Sequence, residues 1–418
     1  MRTLSGIEYL MAMPQYGLGG AVAIRPGLDR IRLLLDALDH PERGIPMVHV
    51  AGTNGKGSTA SWTASILTAS GVRTGLHTSP HLLHAGERMR VDGVAASTEW
   101  VGAAVDRLRE VIEAAGASYF EVTVALSLEY FRVQDVQAAV IEVGLGGRLD
   151  ATNVITPRVS VITRIARDHT NILGSDLAGI AREKAGIIKP GVPVVTTLQE
   201  PEAMRVLEAQ AASQEAGLIR VDRDAQWRRG TLRTPRGRYR WLRPSPRGSH
   251  YAHNAAAAVL AAEVFQGDAL EEKSARCGLS GVRRLAGLRA RYEPWRRSPL
   301  VVLDVAHNPD ALLPLLARFR EDSVSTRPEV LLSIMADKEL VPIATALRGF
   351  RVHALRLESP RALEPAELIL RLREAGVDVS DRILEGGDLE AFSRSLDAPL
   401  LVTGSHQVVA AFLEAVEG

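Results

Sequence analysis

The sequence predicts an α/β fold in two unequal parts. Three observations predict it: short apolar runs bounded by glycine or proline, helical segments between most of those runs, and a length of 418 residues, long for a single domain. Runs such as Ala138-Ala139-Val140-Ile141-Glu142-Val143 lack the polar alternation of a half-exposed strand. A mainly parallel sheet covered on both faces follows from that.

In the first part, leucine and isoleucine at helical spacing predict a helix over 30–38, and the apolar stretch 46–50 predicts a strand. Helices follow at 58–70, 100–115 and 120–131, then strands at 138–143, 159–163 and 192–196. Between 218 and 248 the texture turns to short Arg-rich segments such as Gly237-Arg238-Tyr239-Arg240-Trp241, read as a small antiparallel β insert. Arginines interleaved with Trp227, Tyr239 and Trp241 have the composition of a nucleic-acid surface. The solvated face of an Arg-biased meander is the favoured reading. A helix over 254–265 returns to the first part, and the Arg-, Gly- and Pro-rich stretch 281–299 reads as a linker. Beyond it, strands at 300–304, 329–335, 352–357 and 400–403 alternate with helices at 311–320, 341–347 and 365–375. The expected domains are therefore 1–286, with its insert at about 218–248, and 287–418.

Composition excludes several function classes. Fifty Lys+Arg balance 49 Asp+Glu for a net charge of +1, which gives no global electrostatic case for nucleic acid or an anionic membrane. The single cysteine, Cys277, can form neither an internal disulfide nor a thiolate zinc site. Met1-Arg2-Thr3-Leu4-Ser5 lacks the pattern of a secretory leader, and no 18-residue uncharged apolar run occurs, so a cytoplasmic chain is expected. Only five of the 50 cations are lysine: Lys56, Lys184, Lys189, Lys273 and Lys338. In so Arg-biased a chain, each lysine is a candidate for a position where the guanidinium fails and a compact ammonium or a deprotonatable amine is needed, although Lys273 has no assignable role.

Val48-His49-Val50-Ala51-Gly52-Thr53-Asn54-Gly55-Lys56-Gly57-Ser58-Thr59 runs from strand through glycine-rich loop into helix. Backbone N–H groups and a helix N-terminus there can close around phosphate oxygens, with Lys56 reaching the β/γ-phosphates and Ser58 placed for Mg2+. The first part is thus a P-loop domain. Glu142 closes an otherwise apolar strand, where an unpaired carboxylate is costly. Either a salt bridge to Arg148 or another arginine, or metal ligation, would relieve it, and Mg2+ suits a carboxylate combined with phosphates and water. His77, His81 and His84 are spaced like a zinc cluster, but no Cys or acid completes one.

Gly52-Thr53-Asn54-Gly55-Lys56-Gly57-Ser58 resembles the P-loop of the ATP-dependent Mur-type amide ligases, and within them the folylpolyglutamate synthase/dihydrofolate synthase family. Further blocks extend the resemblance along nearly the whole chain: Thr78-Ser79-Pro80-His81-Leu82 with Glu87-Arg88, the block from Glu142 to Asn153, Asp168-His169, Glu183-Lys184, and Asp304-Val305-Ala306-His307-Asn308-Pro309. The family pattern is broken at Tyr251, where Gln is usual, and at His406-Gln407, where Leu-Tyr is usual.

The resemblance implies a smaller C-terminal Rossmann-like α/β domain that binds glutamate and closes the cleft. It implies ATP with two Mg2+ sites, drawing on Ser58, Ser79, Glu142 and His169, and a monovalent cation as a further candidate. Nucleotide contacts are implied for Gly52, Thr53, Asn54, Gly55, Lys56, Gly57, Ser58, Asn254, Arg291 and Asp304, and catalytic roles for Lys56, Lys184, His307 and Arg291. Lys184 matches a lysine that family members carbamylate with CO2. Lys338, in Ala336-Asp337-Lys338, matches an Asp-Lys pair. The implied reaction joins L-glutamate to folate, and also to dihydropteroate, in a monomeric enzyme. A UDP-N-acetylmuramoyl-peptide ligase of the same superfamily is the rival, set back because only about 50 residues precede the P-loop. An ATPase switch that needs no amine acceptor is the reading from a different class.

Overall fold

The structure is a computed structural model that describes residues 4–14, 27–246, 249–323 and 327–418, with residues 171, 249 and 250 described by backbone only. Met1, Arg2 and Thr3, the 247–248 end of the expected insert, and the side chain of His250 lie outside the described residues. The described residues divide into two compact units, one ending at Leu288 and one running from Arg289 to Gly418.

The first unit is built on strands β1 Met47–Ala51, β2 Thr74–His77, β3 Met89–Val91, β4 Val94–Ala95, β5 Ala138–Glu142, β6 Val159–Ile162, β7 Val194–Thr196 and β8 Leu218–Arg220. They form one eight-stranded sheet in the order β4-β3-β2-β5-β1-β6-β7-β8. From β2 to β8 every pairing is parallel, and β3 and β4 are added antiparallel at the edge. β1, β2, β5 and β6 are buried at every position, as strands covered on both faces must be. The Lys56–Ala69 helix is buried along most of its length and packs against the Ser249–Gln266 and Glu272–Ser280 helices.

Two expectations are corrected. Leu218–Arg220 does not belong to the insert; it is the last parallel strand of the main sheet, paired with β7. The insert is a three-stranded antiparallel sheet of β9 Gln226–Arg228, β10 Thr231–Arg233 and β11 Arg238–Tyr239. Its inner face buries Leu232 and Tyr239, and the Tyr239 hydroxyl donates to Glu263 on the Ser249–Gln266 helix. The stretch 281–299 is not a bare linker: it holds the Val282–Ala286 helix and strand β12 Glu293–Arg297. β12 was hidden because it is an edge strand, polar along one side, with an irregularity between Pro294 and Arg296 where proline removes a ladder donor.

The second unit adds β13 Leu300–Leu303, β14 Glu329–Leu332, β15 Arg351–Ala354, β16 Asp378–Val379 and β17 Leu400–Thr403. The sheet order is β12-β13-β17-β14-β15-β16, parallel throughout except for β12. No helix among the described residues is long and apolar enough to cross a membrane.

Candidate active site

In the first unit, four loops bearing the quoted motifs leave the C-terminal ends of β2, β5, β1 and β6, which are consecutive in the sheet. That edge is where open α/β sheets place their ligands. Register fixes the neighbours: Val50 lies beside Glu142, and His77 beside Ile141.

After β1 the chain turns through Gly52, at φ 146°, and Gly55, at φ 92°, before the Lys56–Ala69 helix begins. A Cβ at Gly52 would meet Thr163 Oγ1 at 1.9 Å, and one at Gly55 would meet the Asn254 amide at 2.4 Å. Glycine is therefore required at both positions by backbone angle and by space. The N–H groups of Thr53 and Asn54 donate to the Arg164 carbonyl at 2.9 and 3.2 Å, so the loop after β6 props the turn. Thr53 Oγ1 also donates to the Ala166 carbonyl at 3.0 Å. The N–H groups of the helix's first turn, from Lys56 through Gly57 to Ser58, have no partner within the helix and are of the kind that can bind an anion.

Lys56 Nζ donates to the carbonyls of Gly52 and Thr53, at 3.1 and 3.2 Å. Lys184, near the end of the Leu177–Ala185 helix and 4% exposed, donates to the same Gly52 carbonyl at 2.8 Å. Burial, followed by repulsion from Lys56, pushes the Lys184 ammonium down to about 7. Asp168 and Asp150 oppose that shift. Lys189 donates to the Asn153 carbonyl and Lys338 pairs with Asp337 at 3.3 Å, whereas Lys273 is exposed.

Glu142 is 4% exposed, and its Oε2 accepts the Ser79 N–H at 3.1 Å. Arg148 pairs instead with Glu183 at 2.9 Å, so it is not the counter-ion considered for Glu142. Ser58 is buried in the first helical turn, and His169 caps a short helix at φ 51°, its N–H donating to Asp168. Ser58, Ser79 and Glu142 offer the hard oxygens that Mg2+ takes, and His169 adds an imidazole. Among the described residues no group of three or more His, Cys, Asp or Glu could hold a metal ion, so such a site needs phosphate oxygens or water to complete it. The donor set fits Mg2+ bound with a nucleotide.

The three spaced histidines have separate duties. His77 Nδ1 meets Ser127 Oγ at 2.7 Å, and burial pushes the ring down to about 3. His81 Nδ1 accepts from Arg88 at 2.8 Å, and His84 lies near Glu87 at 3.9 Å. Tyr251, at the break in the family pattern, packs edge-on against Trp62 with ring centroids 6.1 Å apart.

In the second unit the motif residues follow β13 and β17, which are adjacent and parallel. Asp304 accepts the N–H groups of Tyr292 and Ala306 at 2.7 and 2.8 Å, so its carboxylate fixes the turn that presents His307. His307 Nδ1 donates to the Val305 carbonyl at 3.1 Å, and its ring lies 6.4 Å from that of His406. Arg291 donates to the Ala290 carbonyl at 3.1 Å. Sequence reasoning missed the prop at Arg164, because a carbonyl acceptor has no side-chain signature. It also gave Arg88 no role, although Arg88 is buried.

Residues 50–262 match the Mur ligase middle domain. The chain is 35% identical over 417 residues to a folylpolyglutamate synthase of Lacticaseibacillus casei, covering 93% of this chain and 94% of that protein. It is 36% identical over 385 residues to a dihydrofolate synthase/folylpolyglutamate synthase of Mycobacterium tuberculosis, covering 84% and 78%. Among solved structures, Mycobacterium tuberculosis folylpolyglutamate synthase complexed with ADP gives a TM-score of 0.83 at 33% identity, covering 94% of this chain and 95% of that one. An FPGS–AMPPCP–folate complex gives 0.77 at 31% identity, covering 98% of each chain. With this coverage at both levels, the chain belongs to the folylpolyglutamate synthase/dihydrofolate synthase family of Mur-type ligases.

Proposed function

We propose that the chain is an ATP-dependent ligase that joins L-glutamate to a folate, and to dihydropteroate, releasing ADP and phosphate. The observation that carries this reading is the convergence of the glycine loop, Ser79 and Glu142 at neighbouring strand ends of one parallel sheet. The relatives' names and the ADP and folate complexes supply the substrates.

In this reading the first-turn N–H groups after Gly55 hold the nucleotide phosphates, and Lys56 leaves the loop carbonyls to meet the β/γ-phosphates. Asn254, packed against Gly55, meets the adenine. Ser58, Ser79, Glu142 and His169 would hold Mg2+ in two sites, and when bound the metal neutralises charge on the transferring phosphoryl oxygens. A monovalent cation is a further candidate. The substrate carboxylate attacks the γ-phosphate in line to give an acyl phosphate and ADP. The neutral amine of glutamate then attacks the acyl carbon, and phosphate leaves from a tetrahedral intermediate. Exclusion of water protects the acyl phosphate.

Carbamylation of Lys184 is part of the proposal: the free amine favoured by its burial is the form that reacts with CO2, and the resulting anion would face Lys56. In the second unit, Arg291 and Asp304 are assigned to the nucleotide and His307 to catalysis, and the unit is assigned glutamate binding. The chain acts as a monomer.

The Ser118-Tyr119-Phe120-Glu121 segment resembles one near the pterin site of bacterial family members, which supports use of dihydropteroate as well as folate; Phe120 packs over Gly144, two residues past Glu142. The test measures ADP release with dihydropteroate or tetrahydrofolate, each with and without L-glutamate, and with a UDP-linked peptide in the same assay. Release that needs both acid and glutamate supports the ligase. Release indifferent to glutamate points to an ATPase, and turnover only with a UDP-linked peptide points to the cell-wall rival.

A further inference from the structure

We propose that Arg88 receives the carboxylate of the acid substrate, an inference that rests on the ligase reading above. Arg88 ends the short turn Ala85–Arg88 that leads into β3, and it is 7% exposed. A guanidinium does not shed its proton in a protein, and a buried charge is costly unless it is paired. Among the described residues no carboxylate forms an ion pair with Arg88. Glu87, its neighbour, accepts the N–H groups of Leu82, Leu83 and His84 and pairs with Arg90 at 3.8 Å.

Neutral groups hold the guanidinium instead. Its Nε donates to His81 Nδ1 at 2.8 Å, which places the His81 proton on Nε2. With Nδ1 accepting from the guanidinium, the imidazole serves as a neutral partner. The guanidinium carbon lies 5.0 Å from the centre of the Tyr119 ring. The Tyr119 side chain supports the charge on Arg88, against the burial that opposes it. The fork is therefore fixed at Nε, packed over an aromatic face and desolvated, with no carboxylate in ion-pair contact. Those are the conditions under which a bidentate carboxylate binds best.

Location favours the acid over the nucleotide. His81 lies two residues past Ser79, whose N–H holds Glu142, and Tyr119 opens the Tyr119–Val133 helix. Glu142 is also among the groups that favour the charged form of Arg88. A carboxylate seated on Arg88 thus borders the proposed metal site. A phosphate oxygen of ATP has the same chemistry, and the experiment separates the two.

Full-chain Arg88→Gln and Arg88→Lys are compared with wild type by steady-state turnover, by equilibrium binding of tetrahydrofolate without nucleotide, and by ADP binding. In Arg88→Gln the KM and Kd for the acid are expected to rise roughly 10- to 100-fold, while ADP affinity and the KM for ATP stay within about twofold. Arg88→Lys is expected to recover part of the acid affinity. Unchanged acid affinity overturns the proposal, and so does an equal loss of ADP affinity, which would assign the fork to phosphate. If Arg88→Gln does not fold, His81→Leu removes only the Nε acceptor: a raised acid KM with unchanged ATP KM supports the proposal, and an unchanged acid KM overturns it. A wild type that binds tetrahydrofolate through Arg88 but forms no amide refutes the ligase reading instead.

Discussion

Lys184 and Lys56 donate to one acceptor, the Gly52 carbonyl, at 2.8 and 3.1 Å. Two ammonium groups on one oxygen repel, and the buried member yields first: Lys184 falls from 10.5 to about 7, with burial as the larger cause. The unfolded chain then holds a proton that the native chain lacks between about pH 7 and 10.5. Stability is therefore expected to rise with pH across that window. Lys184→Met should lack this rise, so urea titrations at several pH values should show wild type gaining on the variant as pH increases. A constant difference would contradict the buried amine. After incubation with 13C-bicarbonate, wild type is expected to show a carbamate carbon signal that Lys184→Arg lacks.

Gly55→Ala should weaken nucleotide binding more than it unfolds the chain. Its Cβ would lie 2.4 Å from the Asn254 amide at a backbone φ of 92°, so the residue assigned to adenine must move. The strain is about 1–2 kcal/mol. Calorimetric ADP titration is expected to show a lower affinity, and retention of wild-type affinity would free Asn254 from its assigned role.

Glu142→Gln keeps the shape of the side chain that accepts the Ser79 N–H and removes its charge. The Mg2+ concentration for half-maximal turnover is expected to rise at least ~10-fold, equivalent to about 1.4 kcal/mol. A metal titration checks this, and an unchanged midpoint would remove Glu142 from the metal site.

Tyr239→Phe tests the insert. The hydroxyl accepts the Leu270 N–H at 3.0 Å and donates to the buried Glu263. Its loss should cost about 1–3 kcal/mol in urea unfolding, because the buried Leu270 N–H is left unpaired and Glu263 keeps only Thr234 as a hydroxyl donor. Turnover of the folded fraction should not change.

These contrasts show what was legible in the sequence. Met47–Ala51 and Ala138–Glu142 could be read because strands buried on both faces must be apolar throughout. Glu293–Arg297 could not, because an edge strand needs only one apolar side and this one carries Pro294. Leu218–Arg220 was assigned to the wrong sheet, since three residues beside an Arg-rich stretch do not reveal their partner. In the site, residue types marked Lys56, Lys184 and Glu142. Their partners were hidden by distance along the chain: Lys184 reaches a carbonyl 132 residues away, and Arg148 pairs with Glu183 rather than Glu142. Arg88 was invisible among the other arginines until its burial singled it out.

The central claim is that a substrate carboxylate is phosphorylated before glutamate attacks. It is tested most directly with acid substrate labelled with 18O in that carboxylate, supplied with ATP, Mg2+ and L-glutamate. The account predicts that each amide formed sends one labelled oxygen into the released phosphate, because the oxygen bridging carbon and phosphorus leaves with phosphorus. Unlabelled phosphate accompanying amide formation would contradict an acyl phosphate and the roles built on it.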